Sequence, residues 1–298
     1  MSTFTAIDLS QLAPPDVVEA IDVEAILASM LTDLQARDPA FDLLVESDPA
    51  MKVLEVAAFR EMLLRQRVNE AAQAVMLAFA AGADLDQIAA NYNVQRFVIT
   101  PGDPDAIPPV PPVMESDDDL RRRVQLSPEG RTTAGSRGSY EFHALSAAAD
   151  VRDAQAVSPA PGEVTVHIMS RIGDGAASVD LVEAVQAVLS GDTLRPMTDS
   201  VTVQSVAITS YTVDAALTLF PGPDANLVRD AAQAAVQAHV DARHRIGHDV
   251  TISGLLSALH QSGVQNVSLT SPAADIVIGD GAAAFATGVT VTVAGTDV

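Results

Sequence analysis

Hydrophobic positions in the first hundred residues recur at helical spacing. In IDVEAILASMLTDLQ, Ile26, Leu27, Met30, Leu31 and Leu34 form one apolar face, Asp22 precedes them as an N-cap and Pro39 stops the run. A second run opens on Asp48-Pro49, an N-cap followed by proline at the first helical position. It continues through Val53, Phe59, Leu63, Val75 and Leu77 to Gly82. Read whole, it predicts a helix of about 30 residues, about 50 Å long. Val56, Phe59, Leu63 and Ala74 would give it a core face, yet the apolar stripe is wider than a core of this size needs. Two readings stay open: a single buried long helix, or a helix that enters a bundle with another chain. Gly82 is expected in a left-handed conformation at the end of this helix. Asp84 and Gln87 then read as a capping box for a short helix carrying Leu85, Ile88 and Ala89.

Six prolines in TPGDPDAIPPVPPVM predict a stiff, extended connector. ESDDDLRRRVQL starts another helix, capped by Ser116 or Asp117, and TTAGSRGSYEFHALSA gives a glycine-broken loop and a short helix with Tyr140, Ala144 and Ala147 on one side. After residue 150 the period changes to two. EVTVHIMS alternates through Val164, Val166 and Ile168, a helix places Leu181, Val185 and Leu189 four apart, and SVTVQSVAI returns as a strand. The plan recurs with Val213, Ala215, Leu217 and Leu219, a GPDA turn and the helix ANLVRDAAQAAVQAHV. LVEAVQA in the first unit answers LVRDAAQA in the second. SGLLSALHQSG, VQNVSLT and VTVTVAG, alternating at Val289, Val291 and Val293, complete the chain.

The fold class is therefore α+β: a helical N-terminal half followed by two weakly repeated β-α-β domains, each a helix-on-sheet unit. The expected divisions are a helical region at 1–100, the proline-rich connector at 101–115, a short helical region at 116–150, and repeat domains at 151–210 and 211–298.

Composition narrows the function. Thirty-nine acidic against 17 basic residues give a formal net charge of −22. A field of that sign repels nucleic acid and anionic lipid, so neither a nucleic-acid partner nor membrane insertion is expected. The absence of cysteine removes disulfides and thiolate chemistry. The opening MSTFTAIDLSQLAPPD lacks the pattern of a signal peptide, and nothing approaches a membrane-spanning apolar run. The chain reads as a soluble protein made in a reducing compartment.

Candidate chemistry is sparse. QAHVDARHRIGHDV places His239, His244 and His248 beside Asp241 and Asp249. His239 and His244 are five apart and diverge on a helix. His244 and His248 have the better spacing, but Gly247 intervenes, so the cluster reads as a helix terminus and not a metal site. His143 and His260 are isolated. Asp117, Asp118 and Asp119 point about 100° apart and suit the positive end of a helix better than a shared ion. The GDG at 173–175 follows a strand and precedes a helix, but Asp174 would repel a phosphate, which leaves a turn as the better reading. No cofactor, metal or catalytic set is expected. A carboxylate-dependent hydrolase remains the rival, with no pair of acids marked out for it.

The order of the phrases goes further. IDLSQLAPPDVVEAIDVEAIL, LEVAAFREMLLRQRVNEAAQAVMLAFAAGADLDQIAANYNVQR, VMESDDDLRRRVQLSPEG with TAGSRGSYEFHALSA, and HRIGHDVTISGLLSALHQSGVQNVSL resemble the baseplate J-like wedge proteins of P2-related contractile-tailed phages. The likeness runs from about Ile7 to Ile278 and is most specific between Arg60 and Arg96. It implies a structural virion protein of the tail baseplate, assembled in the host cytoplasm, and not an enzyme. It also implies a wedge of two copies with one protein I-like partner. Six wedges would close round the hub and spike, a gp25-like protein W would bridge towards the sheath, and the ring would couple host contact to sheath contraction. On this view the repeat domains join copies to one another, and the N-terminal helices enter the wedge bundle. The candidate interface is Phe59, Arg60, Leu63, Arg65, Arg67 and Val68. The proline-rich 101–112 and the glycine-containing loop 130–138 are where two copies would differ.

Overall fold

The computed structural model describes residues 7–132, 135–191, 194–222 and 224–298, with the backbone alone at Ser10. Thr133 and Ala134 of the glycine-containing loop, Pro223 of the GPDA turn and the first six residues lie outside the described residues. The chain divides into two compact units. One runs to Arg96 and includes Ser116–Arg121; the other comprises Phe97–Glu115 and Arg122–Val298.

The first unit contains α1 (Val23–Arg37), α2 (Pro49–Ala74) and α3 (Gly82–Asn91), and takes in the beginning of α4 (Asp117–Leu126). Asp22 caps α1 by accepting the amides of Glu24 and Ala25, and Asp48 caps α2 through the Ala50 amide, as the sequence predicts. The long helix is shorter than expected. It has 26 residues and stops at Ala74. Arg121 donates to the carbonyls of Leu77 and Ala80 at 2.8 Å each, which holds 75–81 as a corner instead of further helix.

Gly82 does have a positive φ, 53°, but it opens α3 and does not close α2. That start lies two residues before Asp84, so the expected capping box does not form. The residue at the cap, Ala81, makes no side-chain cap hydrogen bond. Asp117 supplies the missing acceptor from across the chain, taking the Gly82 amide at 3.1 and 3.3 Å. Arg96 bridges Asp117 and Asp86, at 2.7 Å to each. Burial alone would raise the Asp117 carboxyl, but Arg96, the Gly82 amide and Arg121 outweigh it and hold the group below the ordinary aspartate value. Its contribution to stability is therefore present above the ordinary aspartate range and lost as pH falls through the lowered value. The acidic run thus adds a clamp on α3 to its expected role at a helix N-terminus.

A Cβ on Gly82 would meet nothing within 4 Å, so only backbone conformation opposes substitution. Gly82→Val should cost about 1–2 kcal/mol, the penalty of a left-handed φ for an L-residue. An unchanged melting curve would contradict this.

In the second unit the proline-rich segment folds back on itself. β1 (Val98–Thr100) pairs antiparallel with β2 (Val113–Met114), and Asp103 bridges Val110 above them. Proline restricts φ but leaves the carbonyls between prolines able to pair, so the expected straight connector is a hairpin arm.

Two three-stranded sheets follow. Helix α5 (Arg137–Ala147) precedes β3 (Val151–Val157), β4 (Glu163–Ser170), α6 (Val179–Leu189) and β5 (Ser200–Ser205). Strand β4 is central, antiparallel to β3 and parallel to β5. Then come β6 (Ala207–Leu219), α7 (Ala225–Arg243), α8 (Ile252–Leu259), β7 (Val264–Ser271) and β8 (Ala282–Thr296). Strand β6 is central, antiparallel to β7 and parallel to β8. The repeat is real but permuted. A helix and strand supply the antiparallel edge in both sheets, before the central strand in the first (α5, β3) and after its helix in the second (α8, β7). Strand β6 begins four residues before the division expected at 211.

Each sheet buries one face against its helices. Val166 and Ile168 pack with Leu181, Val185 and Leu189 of α6 and with Tyr140 and Ala144 of α5. The alternation Val213, Ala215, Leu217, Leu219 is the buried face of β6, covered by Val228, Ala232, Val236 and Val240 of α7 and Leu255 and Leu259 of α8.

Candidate functional site

The candidate interface lies on α2. Its inner side carries Ala58, the helix's one buried residue among those described, and meets α1. A reciprocal pair ties the preceding loop to the same helix: the Glu19 amide donates to Asn69 Oδ1 at 3.1 Å, and Asn69 Nδ2 donates to the Glu19 carbonyl at 2.9 Å. The outer side is apolar and exposed: Val53 is 68% exposed, Val56 63%, Phe59 51%, Leu64 68% and Val68 61%. At 3.6 residues per turn, Val53, Val56, Arg60, Leu64 and Val68 share one face. Phe59 and Leu63 lie together along one margin of it, whereas Val68 lies towards the other. The three apolar residues singled out from sequence therefore border the face, and Leu64 at its centre was missed. The series Val53, Val56, Arg60, Leu64, Val68 at spacings of three and four would have revealed it.

The arginines divide. Arg60 is exposed. Arg65 is answered within its own chain, by Glu61 at 2.6 Å and Glu19 at 3.2 Å. Arg67 reaches Glu70 at 3.7 Å.

The histidine-rich stretch sends its rings to separate places. The ring of His239 packs against Gly254 at the start of α8. His244 is the C-cap of α7 and is buried, with Nδ1 3.1 Å from Arg152 and Nε2 3.0 Å from the Asp174 carbonyl. Burial holds His239 and His248 below the ordinary histidine value, as it does His143 and His167. Among the described residues no three His, Cys, Asp or Glu are grouped as a metal site would need. The GDG turn has positive φ at Gly173 and Gly175, and its central carbonyl is engaged by His244, so it is a packed turn.

Two buried acids anchor the second unit. Glu115, at the base of the hairpin arm, takes two bonds from Arg123 at 2.8 and 2.5 Å and the Phe97 amide at 3.1 Å. The Arg123 guanidinium also lies over the Phe97 ring, 4.1 Å from its centroid. Asp153 takes Arg122 at 2.6 Å, the Ala154 amide at 2.8 Å and the Ile246 amide at 3.0 Å. Every one of these contacts is internal. Among the described residues, the α2 face gathers several exposed large apolar side chains on one helix, uncovered within its own unit.

Models of the baseplate J-like N-terminal, central and C-terminal domains match residues 46–103, 132–205 and 211–292. Baseplate protein J of Escherichia phage P2 is 48% identical over 298 residues, covering 98% of this chain and 99% of that protein. The chain belongs to the baseplate J-like family. A chain of the six-fold symmetrised cryo-EM structure of the anti-feeding prophage baseplate is 17% identical with a TM-score of 0.41, over 60% of this chain and 44% of that one. The N-terminal family segment takes in α2, α3 and β1, the central one α5 to β5, and the C-terminal one most of β6 and its partners. A structural place in a tail baseplate follows from baseplate J-like membership.

Proposed function

We propose that this baseplate J-like chain is a wedge subunit and that the outer face of α2 is where other wedge chains dock. The wedge would hold two copies with one protein I-like partner. Six wedges would close round the hub and spike, with the gp25-like protein W towards the sheath. The observation that carries the docking reading is the exposure of Val53, Val56, Phe59, Leu64 and Val68 on one helix of a folded unit. Charge supports it. Helix α2 has four basic residues, Lys52, Arg60, Arg65 and Arg67, against Glu55, Glu61 and Glu70, in a chain of net charge −22. A second acidic chain meets least repulsion there.

Phe59→Asp and Leu63→Asp are expected to abolish co-purification with the protein I-like partner while leaving circular dichroism of the isolated chain unchanged. Each puts a carboxylate into a dry contact, a penalty of several kcal/mol. Because both residues are already more than a third exposed in the single chain, neither change creates a buried charge in it. Normal co-purification, or loss of the fold, would remove this surface from the assembly.

A further inference from the structure

His244 closes α7, its amide donating to the Val240 carbonyl at 3.0 Å, and the residue is only 7% exposed. Two other parts of the second unit grip that ring. Arg152 of β3 brings Nη1 to 3.1 Å from Nδ1, and the Asp174 carbonyl, in the turn between β4 and α6, lies 3.0 Å from Nε2. A guanidinium can only donate and a carbonyl can only accept. Together they fix the ring in one state: neutral, with the lone pair on Nδ1 and the proton on Nε2.

The surroundings oppose a second proton. Arg152 also donates from Nη2 to the Asp241 carbonyl at 2.9 Å. The Asp241 carboxylate, on α7, accepts from Gln237 at 3.0 Å. Phe285 of β8 covers the ring at 5.2 Å between centroids. A Cβ on Gly175 would come within 3.0 Å of Nε2, so the turn approaches this closely only with glycine there. The other charged groups nearby are Asp174 in the turn, Arg243 and Arg245 flanking the residue along the chain, and Asp153 of β3 with its partner Arg122.

We propose that His244 is an acid-sensitive latch between the two sheets: neutral, it fastens the end of α7 to β3 through Arg152 and to the β4–α6 turn; protonated by solvent at Nδ1, it faces Arg152 as cation against cation and lets β3 go, keeping its Nε2–H bond to the turn. The joint to β3 would then be fixed at neutral pH and loosened in acid, with each sheet keeping its own core.

Burial first, and Arg152 second, hold the imidazole below the ordinary histidine value, against weaker opposing effects of Asp174 and Asp241. A lowered folded-state value means that the stabilisation is present above the ordinary histidine range. It is lost as pH falls from there through the lowered value. His143, His167, His239 and His248 shift in the same direction, so whole-protein melting against pH does not isolate the latch.

The test is local. Hydrogen exchange of the full chain is followed at about pH 7.5 and about pH 5, corrected for intrinsic rates. The amides of His244, Arg245 and Ile246, the last bonded to Asp153 of β3, should lose protection about tenfold or more in acid, while those in the core of β6 hold. In His244→Gln, which cannot gain a charge, the three amides should respond equally at both pH values. Unchanged protection in the wild type would overturn the latch, and so would an equal acid loss in His244→Gln or a parallel loss in β6. Should that variant fail to fold, imidazole nitrogen NMR of the wild type near neutral pH decides: a proton on Nε2 supports the latch and a proton on Nδ1 overturns it.

Discussion

Glu115→Ala is expected to lower the melting temperature of the protein by about 10 °C, from a loss of about 3–5 kcal/mol. Glu115 is 2% exposed and Arg123 5%, so removing the carboxylate takes the acceptor of two charged hydrogen bonds from a guanidinium that water does not reach. The Phe97 amide loses its side-chain acceptor in the same step. Exposed pairs such as Lys52–Glu55 have no comparable effect, because solvent screens them and replaces the lost contact. The pair need not be net stabilising for the single change to be costly. Replacing both partners, Glu115→Leu with Arg123→Met, should lie closer to the wild type than Glu115→Ala alone. A Glu115→Ala protein melting within about 2 °C of the wild type would show that the pair is hydrated in solution.

Asp153→Ala should cost about 3 kcal/mol, the loss of an acceptor that serves two buried amides and one guanidinium. The more specific effect is positional. Ile246 belongs to a small apolar cluster with Met169, Val206 and Ala283, which lies between the two sheets. Releasing its amide should expose Ile246 to exchange and loosen that cluster before either main core. Asp153→Asn keeps one oxygen acceptor and should recover about half of the loss. Equal stability of Asp153→Ala and the wild type, by denaturant titration, would contradict the assignment.

Much of the architecture was legible because burial is periodic. Asp22 and Asp48 announced their helices, and the alternation from Val213 to Leu219 named the buried face of β6 without error. Strand β3 was missed for a physical reason. Its Arg152, Asp153 and Gln155 interrupt the apolar pattern because each makes a contact beyond its own sheet: to His244, to Ile246, and to Asp280 and Gly281. The proline-rich arm was misread because proline content reports chain stiffness, and stiffness does not exclude a hairpin. Gly82 was right in conformation and wrong in place, because its neighbour Asp117 is 35 residues away in sequence. On α2, sequence spacing identified an overlong apolar surface but could not say which side α1 would cover. The burial of Ala58 shows which side that is, and leaves Leu64 on the uncovered one.

The outer face of α2 is proposed to be covered by other chains in the assembled baseplate. A photo-crosslinking residue at position 64, compared with one at the equally exposed Leu227 of α7, tests it most directly. In wedges assembled from the full chain and its protein I-like partner, position 64 should form cross-links to a second chain in high yield, and position 227 should not. Cross-links from 227 with none from 64 would contradict the account and place the assembly surface on the sheets' helices.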